Sequence, residues 1–400
     1  MEAYKRVKAN KGSSGIDNQT IEEFEKNWKD NLYKLWNRMS SGSYYPQPVK
    51  RVNIPKGDGK MRPLGIPTVV DRIAQMVAKI YLEKELERVI VEDSYGYRPN
   101  KSANEAVGKA RERCWENAYV VDLDIKGFFD NIDHELMMKA VNKHTKEKWI
   151  ILYVERWLTT SVILETGEEE IREKGTPQGG VISPILANLY LHYALDKWLE
   201  REYPKVKFER YADDMVLHCK TRKEAEEVLE AIKIRLQECK LELHPEKTKI
   251  IYCRDEWRKA EQDNISFDFL GYTFKPRLVK SKEGKLFTGF NPAISKKAKM
   301  KITEEIKKWE IHLRSERNIG EISEIVNKVA RGWINYYGEF YKSELSITIN
   351  QINLRLVRWV KKKYRKGTMQ AIKFLERILE SNPRLFSHWE RGFCSFYMIG

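Results

Sequence analysis

Two periodicities divide this chain. Through roughly the first 290 residues, short apolar runs suited to strands alternate with longer helical patterns. Val120-Val121-Asp122-Leu123-Asp124-Ile125 alternates apolar and acidic positions, a strand over 118–125. Val206-Lys207-Phe208 and Met215-Val216-Leu217 flank Tyr211-Ala212-Asp213-Asp214 and predict strand, tight turn, strand. A hairpin is predicted from Val49 to Ile54 around the Lys56-Gly57-Asp58-Gly59-Lys60 turn, and further strands over 249–253 and 267–274. Helices are predicted from Thr20, where Glu23 completes a capping box, over 69–91, where Pro and Gly are lacking, and over 133–144 and 182–200. Another begins at Thr221 with Glu224, its apolar face built from Ala225, Val228, Leu229, Ile232 and Leu236. From about 291 the pattern is helical only: 296–313, 321–341, 348–364 and 368–380. Lys11-Gly12-Ser13-Ser14-Gly15 reads as a loop. The sum is an α+β body followed by an all-helical segment.

Charge adds a partner. The 400 residues carry a net +15 with 73 Lys and Arg against 58 Asp and Glu. Residues 291–400 hold 22 Lys and Arg against 11 Asp and Glu, so +11 of the excess lies there. Such a concentration suits a phosphate backbone, where a generic solvated surface explains charge but not asymmetry. Lys361-Lys362-Lys363-Tyr364-Arg365-Lys366 places five cations in six residues and is the foremost RNA-contact candidate. No apolar run approaches the ~20 residues of a spanning helix, so no membrane partner is expected. No secretory signal is visible at Met1-Glu2-Ala3-Tyr4, and the expected location is the cytoplasm. Cys114, Cys219, Cys239, Cys253 and Cys394 are scattered, without a zinc or disulfide spacing, and the seven histidines are dispersed.

The acids bring candidate chemistry. Asp213 and Asp214 at a hairpin tip repel each other, so a cation commonly explains them. A hard divalent ion takes carboxylate oxygen and keeps positions for phosphate. A solvated Asp-Asp turn is the plain alternative. Asp124 ends a separate strand 89 positions earlier than Asp213, with Asp122 as its decoy. A strand-end acid and an acidic hairpin together provide the cluster that two metals about 4 Å apart require for phosphoryl transfer.

Ordered motifs then add up to a resemblance. Val121-Asp122-Leu123-Asp124-Ile125-Lys126-Gly127-Phe128-Phe129-Asp130 is followed by Thr176-Pro177-Gln178-Gly179-Gly180-Val181-Ile182-Ser183-Pro184 and by Tyr211-Ala212-Asp213-Asp214. Around them stand Ile54-Pro55-Lys56, Arg62-Pro63-Leu64-Gly65-Ile66-Pro67-Thr68, Tyr95-Gly96-Tyr97-Arg98-Pro99, Phe269-Leu270-Gly271 and Arg331-Gly332-Trp333-Ile334-Asn335-Tyr336-Tyr337. Across roughly residues 10 to 340 the set resembles the bacterial group II intron-encoded reverse transcriptase/maturases. The Pro177-Gln178-Gly179-Gly180 form favours this group over other bacterial retroelements.

The resemblance implies a right-hand polymerase: fingers with an N-terminal extension at 1–117, a palm at 118–285 with a fingers segment around 145–180, and a helical thumb/maturase domain at 286–400. The domain boundary is expected at Ser281-Lys282-Glu283-Gly284-Lys285. It implies RNA-directed DNA synthesis with two Mg²⁺ ions on Asp124, Asp213, Asp214 and the backbone carbonyl of Ile125. Lys247 would protonate the leaving pyrophosphate, with a plain surface lysine as the alternative. Lys56, Arg62, Phe129 and Gln178 would bind the deoxynucleoside triphosphate, Phe129 by walling off a 2′-hydroxyl, and Arg72 is a further cation there or a structural residue. The helix end after Gly180 would favour phosphate. Arg98, Pro99, Tyr211, Leu270 and Gly271 would touch template or primer. Trp333, Tyr336 and Tyr337 read as core in preference to base-stacking residues. The implied partners are an RNA template with a DNA or RNA primer, group II intron RNA and target DNA. The DNA-binding and endonuclease segments of some relatives are not expected. A free-standing enzyme of host defence or repair, a non-catalytic splicing factor and an RNA-templated RNA polymerase are the alternatives. The intact carboxylates disfavour the second and Phe129 the third.

Overall fold

The structure is a computed structural model that describes residues 1–55, 61–281 and 283–397. It divides into two compact units: 1–106 with 121–250, and 107–120 with 251–400. This division follows packing, not the expected boundaries at 117 and 285.

In the first unit, Thr20 and Glu23 form the expected capping box on helix Ile21–Lys26. A four-stranded sheet runs in the order Met61–Ile66, Val49–Pro55, Val162–Ile163, Glu169–Glu170. Its first two strands are the expected hairpin, paired from Lys50 opposite Ile66 to Pro55 opposite Met61. Lys56 and the rest of its turn lie outside the described residues. Helix Val69–Leu86 starts at the Thr68 cap and stops short of the expected 91. The cause is downstream: Ile90 and Val91 turn into the core, and Arg98 Nη1 donates to the Val91 carbonyl at 2.6 Å.

The second sheet carries the acids. Its order is Lys207–Tyr211, Asp214–Cys219, Tyr119–Leu123, Lys249–Tyr252. Hairpin strands Lys207–Tyr211 and Asp214–Cys219 are antiparallel neighbours, with Tyr211 opposite Asp214. Helix Arg222–Glu238 packs on the hairpin, using Ala225, Val228, Ile232 and Leu236. Thr221 caps it, whereas Glu224 accepts from Lys220 N at 2.7 Å, one residue earlier than a capping box would reach. The helix expected over 182–200 is present with a defect. Ser183–Leu191 is α-helical, His192–Asp196 is a π-helical turn, and Lys197–Glu202 resumes the α-helix.

In the second unit, strands Leu286–Ile294, Tyr272–Lys280 and Phe267–Phe269 form an antiparallel sheet in that order. The strands on either side of the expected boundary, Tyr272–Lys280 and Leu286–Ile294, therefore pair as one long hairpin, with Ser281 N donating to Lys285 O. Ser, Gly and Lys compose linkers and turns alike, which is why the sequence reads as a boundary. Helices Lys296–Lys308, Ile319–Tyr337, Lys342–Ile349, Gln351–Tyr364 and Thr368–Ser381 bury a common core that includes Ile306, Val326, Leu356, Trp359, Leu375 and Trp389. Trp333 stacks on Trp309 at 5.5 Å between centroids, and Tyr337 packs on Tyr272. Trp333 and Tyr337 are partly buried and pack against the helical core, whereas Tyr336 is half-buried outside it.

Candidate active site

A tight turn presents the two acids. Only Ala212 and Asp213 separate the paired residues Tyr211 and Asp214, and Ala212 takes a left-handed φ of 59°. A non-glycine residue pays a steric cost for that φ, so the surroundings must hold it. Burial is the largest influence on both carboxyls, and it pushes each pKa up. Asp124 raises Asp213 further. Asp213 and Asp124 together help bring Asp214 up to about 6. Three acids from a strand end and a hairpin thus share one electrostatic site.

Asp124 is fixed by its neighbours. Its carbonyl accepts from His244 N at 2.7 Å, and Ile125 forms an isolated bridge to Leu243. Lys247 Nζ lies 3.1 Å from Asp124 Oδ2 and 3.4 Å from Oδ1. The lysine thus stands on a carboxylate of the acidic site, at its solvent side. Among the described residues no three His, Cys, Asp or Glu side chains are already grouped closely enough to hold a metal ion. The donor chemistry still fits divalent cations: oxygen ligands, crowded negative charge, and carboxyls whose pKa is raised by burial and then by neighbouring acids.

A second constellation joins the first sheet to the glycine turn. Arg62 Nε donates to Gln178 Oε1 at 2.8 Å. Gln178 Nε2 is 3.3 Å from Asp130 Oδ2. Gly65 N donates to the Gln178 carbonyl at 2.7 Å. Gly179 has φ +115°, and a Cβ there would come within 2.6 Å of the Gly65 carbonyl, so only glycine fits. Phe129 is buried, edge-on to Phe128 at 5.3 Å, and its carbonyl accepts from Thr176 N. Phe129 and Gln178 are therefore tied to the same segment.

Several expectations need correction. The helix end after Gly180 is not open to phosphate, because the N–H groups of Val181 and Ile182 both donate to buried Gln75 Oε1. Arg98 turns inward: its guanidinium meets Glu87 in a fork and donates to the carbonyls of Val91 and Ser94. Its side chain is 7% exposed, so it braces the loop in place of reaching a template. Pro99 and Tyr97 beside it are exposed, and the Tyr97 ring lies 6.4 Å from that of Tyr211. Arg72 resolves to the structural choice, donating to Ser13 O at 2.6 Å and pinning the N-terminal loop.

In the second unit, Leu270 and Gly271 form a turn with φ +50° and +79°. The Tyr336 hydroxyl donates to the Leu270 carbonyl at 2.8 Å. A Cβ on Gly271 would meet the Tyr337 hydroxyl at 2.9 Å. The basic run splits. Lys361 donates to Thr368 Oγ1, and Lys363 lies over the rings of Trp359 and Tyr364. Lys362 and Arg365 are exposed and Lys366 half-buried.

Sequence reading missed Asp130 as the partner of Gln178, and it missed Arg210. Glu209 and Arg210 are adjacent charges on a strand whose neighbours are apolar, and both are fully buried. That anomaly is the signal that was available.

Against this geometry, a family model described as reverse transcriptase (RNA-dependent DNA polymerase) matches residues 54–274, more than half of the chain. The chain belongs to that family, and its fold is the α+β right-hand polymerase. A second model, the group II intron maturase-specific domain, matches residues 299–377. The group II intron-encoded protein LtrA of Lactococcus lactis subsp. cremoris is 37% identical over 217 residues, which cover 54% of this chain and 35% of LtrA. Protein YkfC of Escherichia coli is 32% identical over 263 residues, 56% of this chain and 68% of YkfC. The putative COX1/OXI3 intron 1 protein of Saccharomyces cerevisiae is 32% identical over 200 residues, 50% of this chain and 24% of that protein. The chain thus spans about a third of the length of LtrA. The family generally uses divalent metal ions. No helix among the described residues is long and apolar enough to cross a membrane.

Proposed function

We propose that this chain is an RNA-directed DNA polymerase of the group II intron type that also binds its intron RNA as a maturase. The observation that carries the reading is the tight, left-handed turn at Ala212 that presents Asp213 and Asp214, with Asp124 at the end of the neighbouring strand, within the segment matched by the reverse transcriptase family. Asp124, Asp213 and Asp214, with the carbonyl of Ile125, would hold two Mg²⁺ ions. Bound there, the ions would supply Lewis-acid stabilisation of the charge that develops in phosphoryl transfer.

The chain's own groups do the rest. Arg62 and Gln178 bind and orient the triphosphate and sugar of a deoxynucleotide, their geometry set by Asp130. Phe129, backed by Phe128, closes the sugar side against a 2′-hydroxyl. Lys247 leaves Asp124 to donate a proton to the departing pyrophosphate. Lys56 would join Arg62 at the triphosphate. Pro99 and Tyr211 serve the template, and Leu270 and Gly271 the primer end. RNA template, DNA or RNA primer, intron RNA and target DNA are the partners, and the cytoplasm is the expected place of action.

Primer extension on an RNA template tests the reading. Asp213→Asn is expected to abolish extension in Mg²⁺ while RNA binding is kept. Near-normal extension by this variant removes the central claim. A wild-type chain that binds intron RNA but never extends a primer favours a non-catalytic splicing factor. Wild-type use of ribonucleotides as readily as deoxynucleotides favours RNA synthesis.

A further inference from the structure

Behind the acidic turn lies a charged network that the family resemblance leaves unexplained. Arg210 is fully buried, as is Asp196. Arg210 Nε donates to Asp196 Oδ1 at 2.7 Å and Nη2 to Oδ2 at 2.5 Å, a two-pronged pair. Nη1 divides its remaining capacity between Asn188 Oδ1 at 2.9 Å and the carbonyl of Ala212 at 3.0 Å. The last bond is to the left-handed residue of the turn.

The backbone repeats the connection. Arg210 N donates to Asp93 O at 2.9 Å, and Arg210 O accepts from Tyr95 N at 2.7 Å. Asn188 Nδ2 donates to Gly96 O at 2.6 Å. Gly96 lies so close to the turn that a Cβ on it would be 2.4 Å from Ala212 N. One arginine therefore joins the helix, the loop at 93–97 and the acidic hairpin.

The helix is distorted where it meets the arginine. Asn188 and Asp196 are eight residues apart. In a regular α-helix, at about 100° per residue, they would diverge by roughly 80° and could not meet one guanidinium side by side. The π turn at His192–Asp196, in which Lys197 N reaches back five residues to His192 O, takes up about one extra residue. Both side chains then reach Arg210. Such turns cost helix geometry and recur at functional sites.

We propose that Arg210, clamped by Asp196 and Asn188, is the positioning residue that keeps Ala212 in its left-handed conformation and thereby presents Asp213 and Asp214 to the metals and nucleotide. This deepens the polymerase reading and rests on it. The arginine is a positioning residue, and its side chain reaches the turn through the Ala212 carbonyl.

The test uses the full chain with Arg210→Lys, Ala212→Gly and the double variant. Lysine keeps the buried charge but cannot serve Asp196, Asn188 and Ala212 together. Arg210→Lys is expected to lose about tenfold or more in kcat, the cost of an unsupported left-handed alanine. The KM for deoxynucleotide should change by less than about twofold, because Arg62 and Gln178 are untouched. Glycine removes the steric cost of positive φ. The double variant is therefore expected to regain a good part of the loss relative to Ala212→Gly alone. Mn²⁺ binding to the free protein, read by the electron paramagnetic resonance of unbound Mn²⁺, should weaken in Arg210→Lys and recover in the double variant. Thermal unfolding gives the folded fraction for each.

A kcat per folded molecule equal to wild type in Arg210→Lys overturns the proposal. So does a loss that Ala212→Gly leaves unrelieved, since a general packing defect would behave that way. If the wild type extends no primer, the polymerase reading fails by itself. The Mn²⁺ series then still decides whether Arg210 shapes the acidic turn.

Discussion

At the scale of single residues, the acids are governed by crowding. Asp214 has a carboxyl pKa raised to about 6 by burial, Asp213 and Asp124. For an acid the sign is unusual. The raised value means that the folded chain holds this proton more tightly than the unfolded chain. The contribution to stability is fully present below the unfolded pKa near 4 and is lost as pH rises through about 6. A divalent cation must displace the proton. Mg²⁺ or Mn²⁺ affinity is therefore expected to be flat above pH 7 and to fall about tenfold per pH unit below 6. Thermal stabilisation by Mg²⁺ should be larger at pH 7.5 than at pH 5. Metal titrations at four pH values check this, and a flat profile down to pH 5 contradicts it. Phe129 supports a second expectation. Its ring is fixed by Phe128 and its carbonyl by Thr176 N, so Phe129→Ala should relieve the sugar clash without moving the segment. The ratio of incorporation efficiencies for a matched deoxy and ribo pair is expected to fall at least tenfold. An unchanged ratio leaves Phe129 as packing only. Asp124, Asp213 and Asp214 stand out in the sequence because a strand-end acid and an acidic hairpin tip fall within one ordered set of motifs. The sequence does not settle Arg98 or Arg72, because a cation's type says nothing about which way it turns. Glu87, Ser13 and two carbonyls decide that, and their proximity is a property of the fold.

At the scale of elements, local rules served where ends are set by side chains nearby. Thr20, Thr68, Asp133 and Asn318 all cap the helices that follow them. Local rules failed where a distant residue sets the geometry. The π turn at His192–Asp196 answers to Arg210, and no periodicity within the helix announces it. The amides of Val181 and Ile182 answer to Gln75, more than a hundred residues earlier. The short helix Ser387–Glu390 gives this scale its prediction. His388 is completely buried, with Nε2 2.8 Å from Asn353 Oδ1, and burial pushes its pKa down to about 3. Here a base is depressed, so its contribution to stability is complete above the unfolded value near 6.5 and is lost as pH falls below it. At pH 5 the loss amounts to about 2 kcal/mol. Unfolding of the helical unit should become easier from pH 7 to 5, and His388→Gln should flatten that slope. In denaturant titrations at each pH, an equal slope in the variant assigns the acid sensitivity to another group.

At the scale of the whole molecule, motif order and charge asymmetry were both legible, because each is a property of the linear chain. The compact units were not. They interleave sequence segments, with 107–120 joining 251–400, and only contacts reveal that. The asymmetry supplies the remaining prediction, which the structure narrows. Of the five cations in 361–366, Lys361 is engaged with Thr368 and Lys363 with the Trp359 and Tyr364 rings. Lys362 and Arg365 face solvent, with Lys366 beside them. Replacing Lys362, Arg365 and Lys366 with Gln is expected to weaken binding to structured RNA. Each lost phosphate contact lowers the slope of log affinity against log salt by about 0.7 to 0.9, so three contacts lower it by roughly 2 to 3. Extension of a short pre-annealed primer at saturating enzyme should change little, since the acidic site is untouched. Lys363→Gln should behave differently, because its ammonium sits on the Trp359 ring, itself in the core. Its effect belongs in the unfolding midpoint more than in the salt slope. Equal salt slopes for wild type and the triple variant would make the run a solvated face and move the RNA grip to Lys5, Arg6, Lys8 and Lys11. Those cations are a poorer substitute: Arg6 and Lys8 already pair with Glu2 and Glu25, and their charge is partly spent before any phosphate arrives.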